Sequence, residues 1–464
     1  MRARWSASAR IAPLAGLVLA IVPLSSAAKF LDPRMLELAE EADVADEGYD
    51  PLSGVDKSGR IPTIKRPEHL AHPDRWRYLP EGRLKPGSVL DRFLVSSFIA
   101  PYVFSSRDVG TGVGLAISDL DFRQQRRREF SALLLSYTTQ GQREYRIKWR
   151  RYLNHIELPE GGILQGERSF IDSELGYNRT LTHRFFGLGG DSEDIDESSY
   201  TEETIYADLG MERSFPSPGS DWVLGIGASG ASHRLERGKV SNRPSTDAFY
   251  PALFAEAEDH NMGWVRLGLR YDTRDSQQNP YRGWHVGARA DWAPLQSGGD
   301  TGALYSWSAS KVFRVFSVFH DGGDLREENP PTDTLAFGFR NAFTTGELPF
   351  YSLPSLGGTE QHRGFIAGRF RDRASWLAAT EYRFWFMPRG FAITDSIRVE
   401  RVGAALFYEA GAVGGSASGL FHEKVRHSYG ASLRISFDRT NPLRFDFGFS
   451  EDGMEFSLGY GLSF

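Results

Sequence analysis

The chain has 464 residues, no cysteine, 49 glycines and 13% aromatic residues, yet only 40% of it is hydrophobic and its formal net charge is −6. The missing cysteine excludes disulfide scaffolds, thiolate zinc sites and cysteine nucleophiles, and the mild acidity argues against nucleic acid as a partner. After the N-terminus no apolar run approaches the roughly 18–20 residues of a membrane helix.

The chain opens with Arg2, Arg4 and Arg10, an apolar run over 11–24, and small residues Ser26-Ala27-Ala28 ahead of Lys29. That order predicts a signal peptide over 1–28 and an exported protein. Residues 29–90 read as a periplasmic N-terminal segment. An acidic stretch over 34–47 has helical character, and the Pro- and Gly-punctuated remainder reads as mostly irregular.

From residue 91 onward, period-two alternation broken by turn residues dominates. Tyr145, Ile147 and Trp149 point one way while Arg146, Lys148 and Arg150 point the other. Three cations in step suit a wet lumen and no soluble core, so the two faces read as lipid and water. Sixteen such segments can be counted, at 93–104, 111–119, 129–140, 143–154, 167–177, 202–215, 222–235 and 264–275, then 284–295, 303–318, 334–345, 375–388, 398–411, 426–438, 442–450 and 453–464. The fold class that follows is all-β: a 16-stranded antiparallel transmembrane β-barrel over 91–464. The long connections near 178–201, 236–263, 346–374 and 412–425 all follow odd strands, as expected if they share the outer rim and the N-terminus is periplasmic.

The last segment alternates Phe456, Leu458, Tyr460, Leu462 and Phe464 with small or polar residues. A final strand ending in an aromatic residue reads as an assembly signal for delivery to the outer membrane. Pro101 should interrupt the first strand by removing a ladder hydrogen bond, and Gly459 and Gly461 thin the last one. These three residues mark a weak closure seam.

Between the eleventh and twelfth segments lies Leu356-Gly357-Gly358-Thr359-Glu360-Gln361-His362-Arg363-Gly364-Phe365. Its His362-Arg363-Gly364-Phe365 resembles the Arg-Gly-aromatic signature in the sixth outer loop of the BamA/TamA superfamily of bacterial surface antigens. Phe186-Gly187-Leu188-Gly189-Gly190-Asp191-Ser192, Asp272-Thr273-Arg274-Asp275 with Asn279-Pro280-Tyr281-Arg282-Gly283-Trp284, and Phe407-Tyr408-Glu409-Ala410-Gly411 resemble other motifs of that family in the expected order. The chain departs from the pattern at Glu409, where Asp is usual, and at His362, where a small apolar residue is usual. It also lacks a recognisable POTRA pattern in 29–90, so it is expected to be a barrel-only branch.

With Trp376, Ala378 and Thr380 facing lipid, Glu381 turns inward, and the same alternation turns Phe407, Glu409 and Gly411 inward. The loop is therefore expected to fold into the lumen and pair Arg363 with Glu409 and Glu381, since an arginine fork matches carboxylates. Gly357, Gly358 and Gly364 would allow the path. The sequence offers no catalytic constellation and no metal-ligand spacing, so neither a catalytic role nor a cofactor or metal is expected, and the resemblance implies a barrel assisting assembly, insertion or translocation of proteins or lipids. Its expected partners are outer-membrane lipid, the assembly machinery for its own insertion, and a periplasmic partner or client protein. A passive channel for small solutes is the alternative.

Overall fold

The structure is a computed structural model that describes residues 66–79, 98–106, 109–118, 129–159, 162–323, 327, 330–392, 398–436, 442–462 and 464. The expected signal peptide and the helical stretch over 34–47 lie outside the described residues.

Sixteen strands pair in chain order. They are β1 Phe98–Ser106, β2 Gly110–Ser118, β3 Glu129–Thr138, β4 Arg143–Glu157, β5 Ile163–Phe185, β6 Ser198–Phe215, β7 Trp222–Arg237 and β8 Asp259–Asp272. The set continues with β9 Gly283–Gln296, β10 Gly302–Val315, β11 Asp333–Gly346, β12 Ala374–Met387, β13 Arg401–Gly414, β14 Arg426–Ser436, β15 Leu443–Ser450 and β16 Gly453–Tyr460. Each pairs antiparallel with the next. The sheet curls into a barrel, and side chains from strands far apart in order meet inside it. The alternation explains the shape: Leu224, Ile226, Leu267, Leu269, Trp307 and Phe337 are exposed on the outer face, while the residues between them turn inward, as a lipid-facing strand requires.

Three departures from the sequence reading have physical causes. The first strand runs through Pro101, which lies opposite Leu115, so the expected interruption is absent. Among the described residues β1 pairs only with β2, and a proline is tolerated in a strand with one pairing partner. The last strand stops at Tyr460 rather than 464. Gly461 takes φ +94 and donates its N–H to Pro442, a left-handed conformation that ends an extended strand. Phe456, Leu458 and Tyr460 remain exposed outside, but Phe464 lies inside the barrel, where a Cβ on Gly338 would sit 2.5 Å from its ring.

The third departure is in 29–90. Trp76–Leu79 form a strand on the extended end of β5, Trp76 opposite Gly166 and Leu79 opposite Ile163. Trp76 and Tyr78 bury with Leu164, and Arg75 Nη1 donates to the Gly219 carbonyl at 3.0 Å and Asp221 Oδ1 at 2.5 Å. The described part of the segment is thus built onto the short-turn rim. Burial of one tryptophan, invisible to a composition argument, accounts for it.

At the other rim the long loops fold together. β5, β6 and β7 project beyond their neighbours, and α1 Thr246–Phe249 and α2 Pro251–Ala257 pack against them. Phe185, Tyr200, Leu235, Phe254 and Phe350 form an apolar cluster there. This cluster joins 347–373 to the tall wall and sets where that loop enters the lumen.

Candidate functional site

The site is the loop segment 357–369 and the inward faces of β12 to β15. Gly357 and Gly358 have φ +110 and +102, values glycine adopts without strain. The turn they make is closed by Gly357 N–H to the Gln361 carbonyl at 2.5 Å and Gly358 N–H to the Phe365 carbonyl at 2.9 Å. His362, also left-handed at φ +73, is fully buried with its ring 4.7 Å from that of Phe365. Phe365 in turn packs with Leu356, Phe370, Leu377 and Val413. A glycine was expected to carry the tight path at 364, but Gly364 lacks a positive φ. Its role is close approach, since a Cβ there would lie 2.6 Å from Ser428 Cβ and 2.8 Å from the Phe449 carbonyl oxygen.

This turn delivers Arg363 to the wall at 2% exposure. Its backbone N–H donates to Glu409 Oε2 at 2.6 Å, its Nε to Glu409 Oε1 at 2.8 Å and its Nη1 to Glu381 Oε2 at 2.8 Å. The guanidinium carbon stands 3.6 Å from the centre of the Phe407 ring, a cation over a π face. Gly411 leaves room below, where a Cβ would lie 3.0 Å from Leu356. Arg363, Glu381, Phe407, Glu409 and Gly411 are therefore brought together in one cluster.

The cluster is larger than the sequence suggests. Glu381 Oε1 also accepts from Arg383 Nε at 2.6 Å and Arg434 Nη2 at 2.5 Å. Asp446 lies 3.6 Å from Arg363 and accepts from Arg444 Nη1 at 2.8 Å, while Arg444 Nη2 reaches Glu360 at 3.1 Å. Arginines 363, 383, 434 and 444 thus face the buried Glu381, Glu409 and Asp446, with the exposed Glu360 as a fourth carboxylate on Arg444. A signal was present: Arg434, Arg444 and Asp446 occupy inward positions between Leu433, Ile435, Leu443, Phe445 and Phe447. The seam residues adjoin it. A Cβ on Gly459 would sit 2.6 Å from Arg444 Nη2, and Arg383 Nη2 donates to the Phe464 carbonyl oxygen at 3.3 Å. Leu462 is half-buried.

Above the plug, Arg369 ties three loops. Its Nε donates to Asp452 Oδ2 at 2.6 Å, its Nη1 to Ser192 Oγ at 2.9 Å, and its guanidinium lies 4.4 Å from the Phe186 ring. Arg426 donates to the Gly190 carbonyl and to Glu451. The Phe186–Ser192 motif is thus clamped between two arginines. At the opposite rim, Asp272 accepts from Arg274 Nε and Nη2 at 2.9 Å, and Arg401 Nη1 crosses from β13 to the Tyr281 hydroxyl at 2.6 Å.

Beside the plug a cavity of about 1110 Å³ runs along β4 to β11. Its wall is laced with ion pairs. Arg150 meets Asp172 at 2.8 Å, Arg270 holds Glu212 through two bonds of 2.8 and 2.6 Å, and Arg266 crosses Gly227 to reach Asp208.

A family model, the Omp85 superfamily domain, matches residues 133–464. The chain belongs to the Omp85 superfamily. The matched region holds every strand from β4 onward and the whole Arg363 cluster. Two solved Omp85-like structures are similar. One, BamA from Haemophilus ducreyi lacking POTRA domains 1–3, has 15% identity and a TM-score of 0.46, over 79% of this chain and 70% of that one. The other, CdiB from Acinetobacter baumannii, has 12% identity and a TM-score of 0.43, over 79% of this chain and 58% of that one. Comparison with curated proteins returns no match.

Proposed function

We propose that this Omp85 barrel assists the assembly, insertion or translocation of proteins or lipids at the bacterial outer membrane, without covalent chemistry. In this reading the N-terminal segment and the short-turn rim face the periplasm. The observation that carries it is the buried lock of Arg363 on Glu381 and Glu409. It fixes 357–369 across the part of the lumen that an open solute pore would need, next to the strands that close the barrel. Those strands are weak by construction. β15 and β16 have eight residues each against fourteen in β12 and β13, and Pro101, Gly459 and Gly461 lie at or beside the junction. An opening toward lipid at this seam would expose a path into the membrane.

The partners in this reading are outer-membrane lipid, the assembly machinery that inserts the barrel, and a client or periplasmic partner protein. Phe456, Leu458 and Tyr460 would serve as the assembly signal on the outward face, with Phe464 engaged inside. A passive solute channel is the second reading, and the 1110 Å³ cavity beside the plug favours it. Purified barrel in liposomes separates the two, with insertion of an unfolded outer-membrane protein and ion conductance followed on one preparation for the native chain and Arg363→Ala. Accelerated insertion that depends on Arg363 supports the assembly reading. Steady conductance without accelerated insertion overturns it in favour of the channel.

A further inference from the structure

The lumen of this barrel matches its charges, and its outer wall does so in places. Arg151 takes an outward-facing position on β4 and meets Glu129 at 3.3 Å, and Arg179 on β5 meets Glu203 at 3.6 Å. Lys311 is different. It stands on the outward face of β10, with Val312 and Ser310 buried on either side of it, and has no carboxylate or hydrogen-bond partner among the described residues. Its neighbours are aromatic. Trp284 on β9 and Phe337 on β11 lie opposite it in register, and both are exposed on the lipid side. The Lys311 Nζ is 4.7 Å from the centre of the Trp284 ring and 4.9 Å from that of Phe313.

We propose that Lys311, boxed by Trp284, Phe313 and Phe337, binds the headgroup phosphate of a phospholipid in the leaflet at the rim that carries the 316–332 connection. Four observations carry the assignment. The cation faces lipid, where an unpaired charge on a barrel wall is unfavourable in proportion to its depth. It is not past the edge of the apolar band, because Phe316, Val318 and Phe319, closer to that rim, are also exposed. Among the described residues it meets π faces but no anion, and π faces offset only part of the loss of water. Finally, a lysine stem is long and flexible enough to run along apolar surface and present its ammonium at the headgroup level, where tryptophan also concentrates. Phosphate is the anion a phospholipid presents there, and a compact ammonium is a suitable point-charge donor to it.

The test is lipid retention on the purified full chain by native mass spectrometry. Native protein, Lys311→Gln and Lys311→Arg are each offered phosphatidylglycerol or diacylglycerol with the same acyl chains, with and without millimolar inorganic phosphate. The native chain should retain phosphatidylglycerol in preference to diacylglycerol. Lys311→Gln should retain it about tenfold less tightly, the size expected for losing one charged hydrogen bond, and Lys311→Arg should stay near native. Equal retention of the two lipids by the native chain would overturn the proposal, as would full retention by Lys311→Gln. Complete competition by inorganic phosphate would also overturn it, because the site would then be a water-facing anion site. The lipid comparison on the native chain stands even if a variant fails to fold.

Discussion

At the residue scale, Arg363 shows why removal and replacement differ. Two of its nitrogens and its backbone N–H are spent on carboxylates, and those carboxylates are as buried as it is. Arg363→Ala strands Glu409, which is left with the backbone N–H at position 363 and the Ser428 hydroxyl at 3.3 Å while Glu381 keeps Arg383 and Arg434, and should cost about 3–5 kcal/mol, read as a lowered urea midpoint for the barrel in vesicles. An unchanged midpoint would show that the loop does not hold the wall. Arg363→Lys should recover little, because a single ammonium cannot serve Glu409 and Glu381 in the fork's plane. Gly448→Ala should act from the other side: its Cβ would lie 1.9 Å from the Arg363 carbonyl oxygen, so the loop must lift, and the same midpoint should fall. Arg363 and its two carboxylates were legible because alternation fixes which side chains of β12 and β13 point inward. Arg383, Arg434, Arg444 and Asp446 obey the same alternation, but which cation meets which anion depends on register between strands, and one sequence carries no register.

At the element scale, the strands were readable because period two records the environment of each residue directly, and each of the sixteen segments overlaps one strand, though 167–177 covers less than half of β5 and 453–464 overruns β16. Loops carry no such record. The two helices after β7, the inward turn at Gly461 and the clamp on 186–192 all depend on contacts with distant chain. That clamp has a pH signature. Burial pulls the Glu451 carboxyl up, but Arg426 and Lys424 outweigh it and hold the group below its ordinary value of 4.5. A carboxyl depressed in the folded state adds stability above its unfolded value and loses it as pH falls through the folded one. Cleavage of 186–197 and 415–425 by an acid-active protease should therefore rise as the pH falls below the ordinary carboxyl range, beyond the enzyme's own pH response on an unstructured peptide. Glu451→Gln should already show raised cleavage at neutral pH and lose the step. Identical profiles for the two proteins would mean that the turn between β15 and β16 does not secure the loops.

At the scale of the whole molecule, the lumen is two compartments with opposite physics. On the β12 to β15 side, buried arginines and carboxylates pair directly with each other and with Arg363 of the plug. On the β4 to β11 side, ion pairs such as Arg270 with Glu212 line open volume, where water competes with them and screens them. Because the chain has no cysteine, single cysteines report on each compartment without background. Ser229→Cys, on the cavity wall, should react rapidly with a water-soluble maleimide in the folded barrel. Ser432→Cys, 1% exposed on β14 behind the plug, should resist. Combining Ser432→Cys with Arg363→Ala should bring its labelling rate toward that of Ser229→Cys, since the lock is what separates the compartments. If Ser432→Cys labels as fast as Ser229→Cys with Arg363 intact, the plug opens spontaneously on the labelling timescale, and the lumen behaves as one wet channel. If it stays protected after Arg363 is removed, apolar packing around Phe365 and Phe370 holds the loop, and the salt bridges serve to orient it rather than to keep it in place.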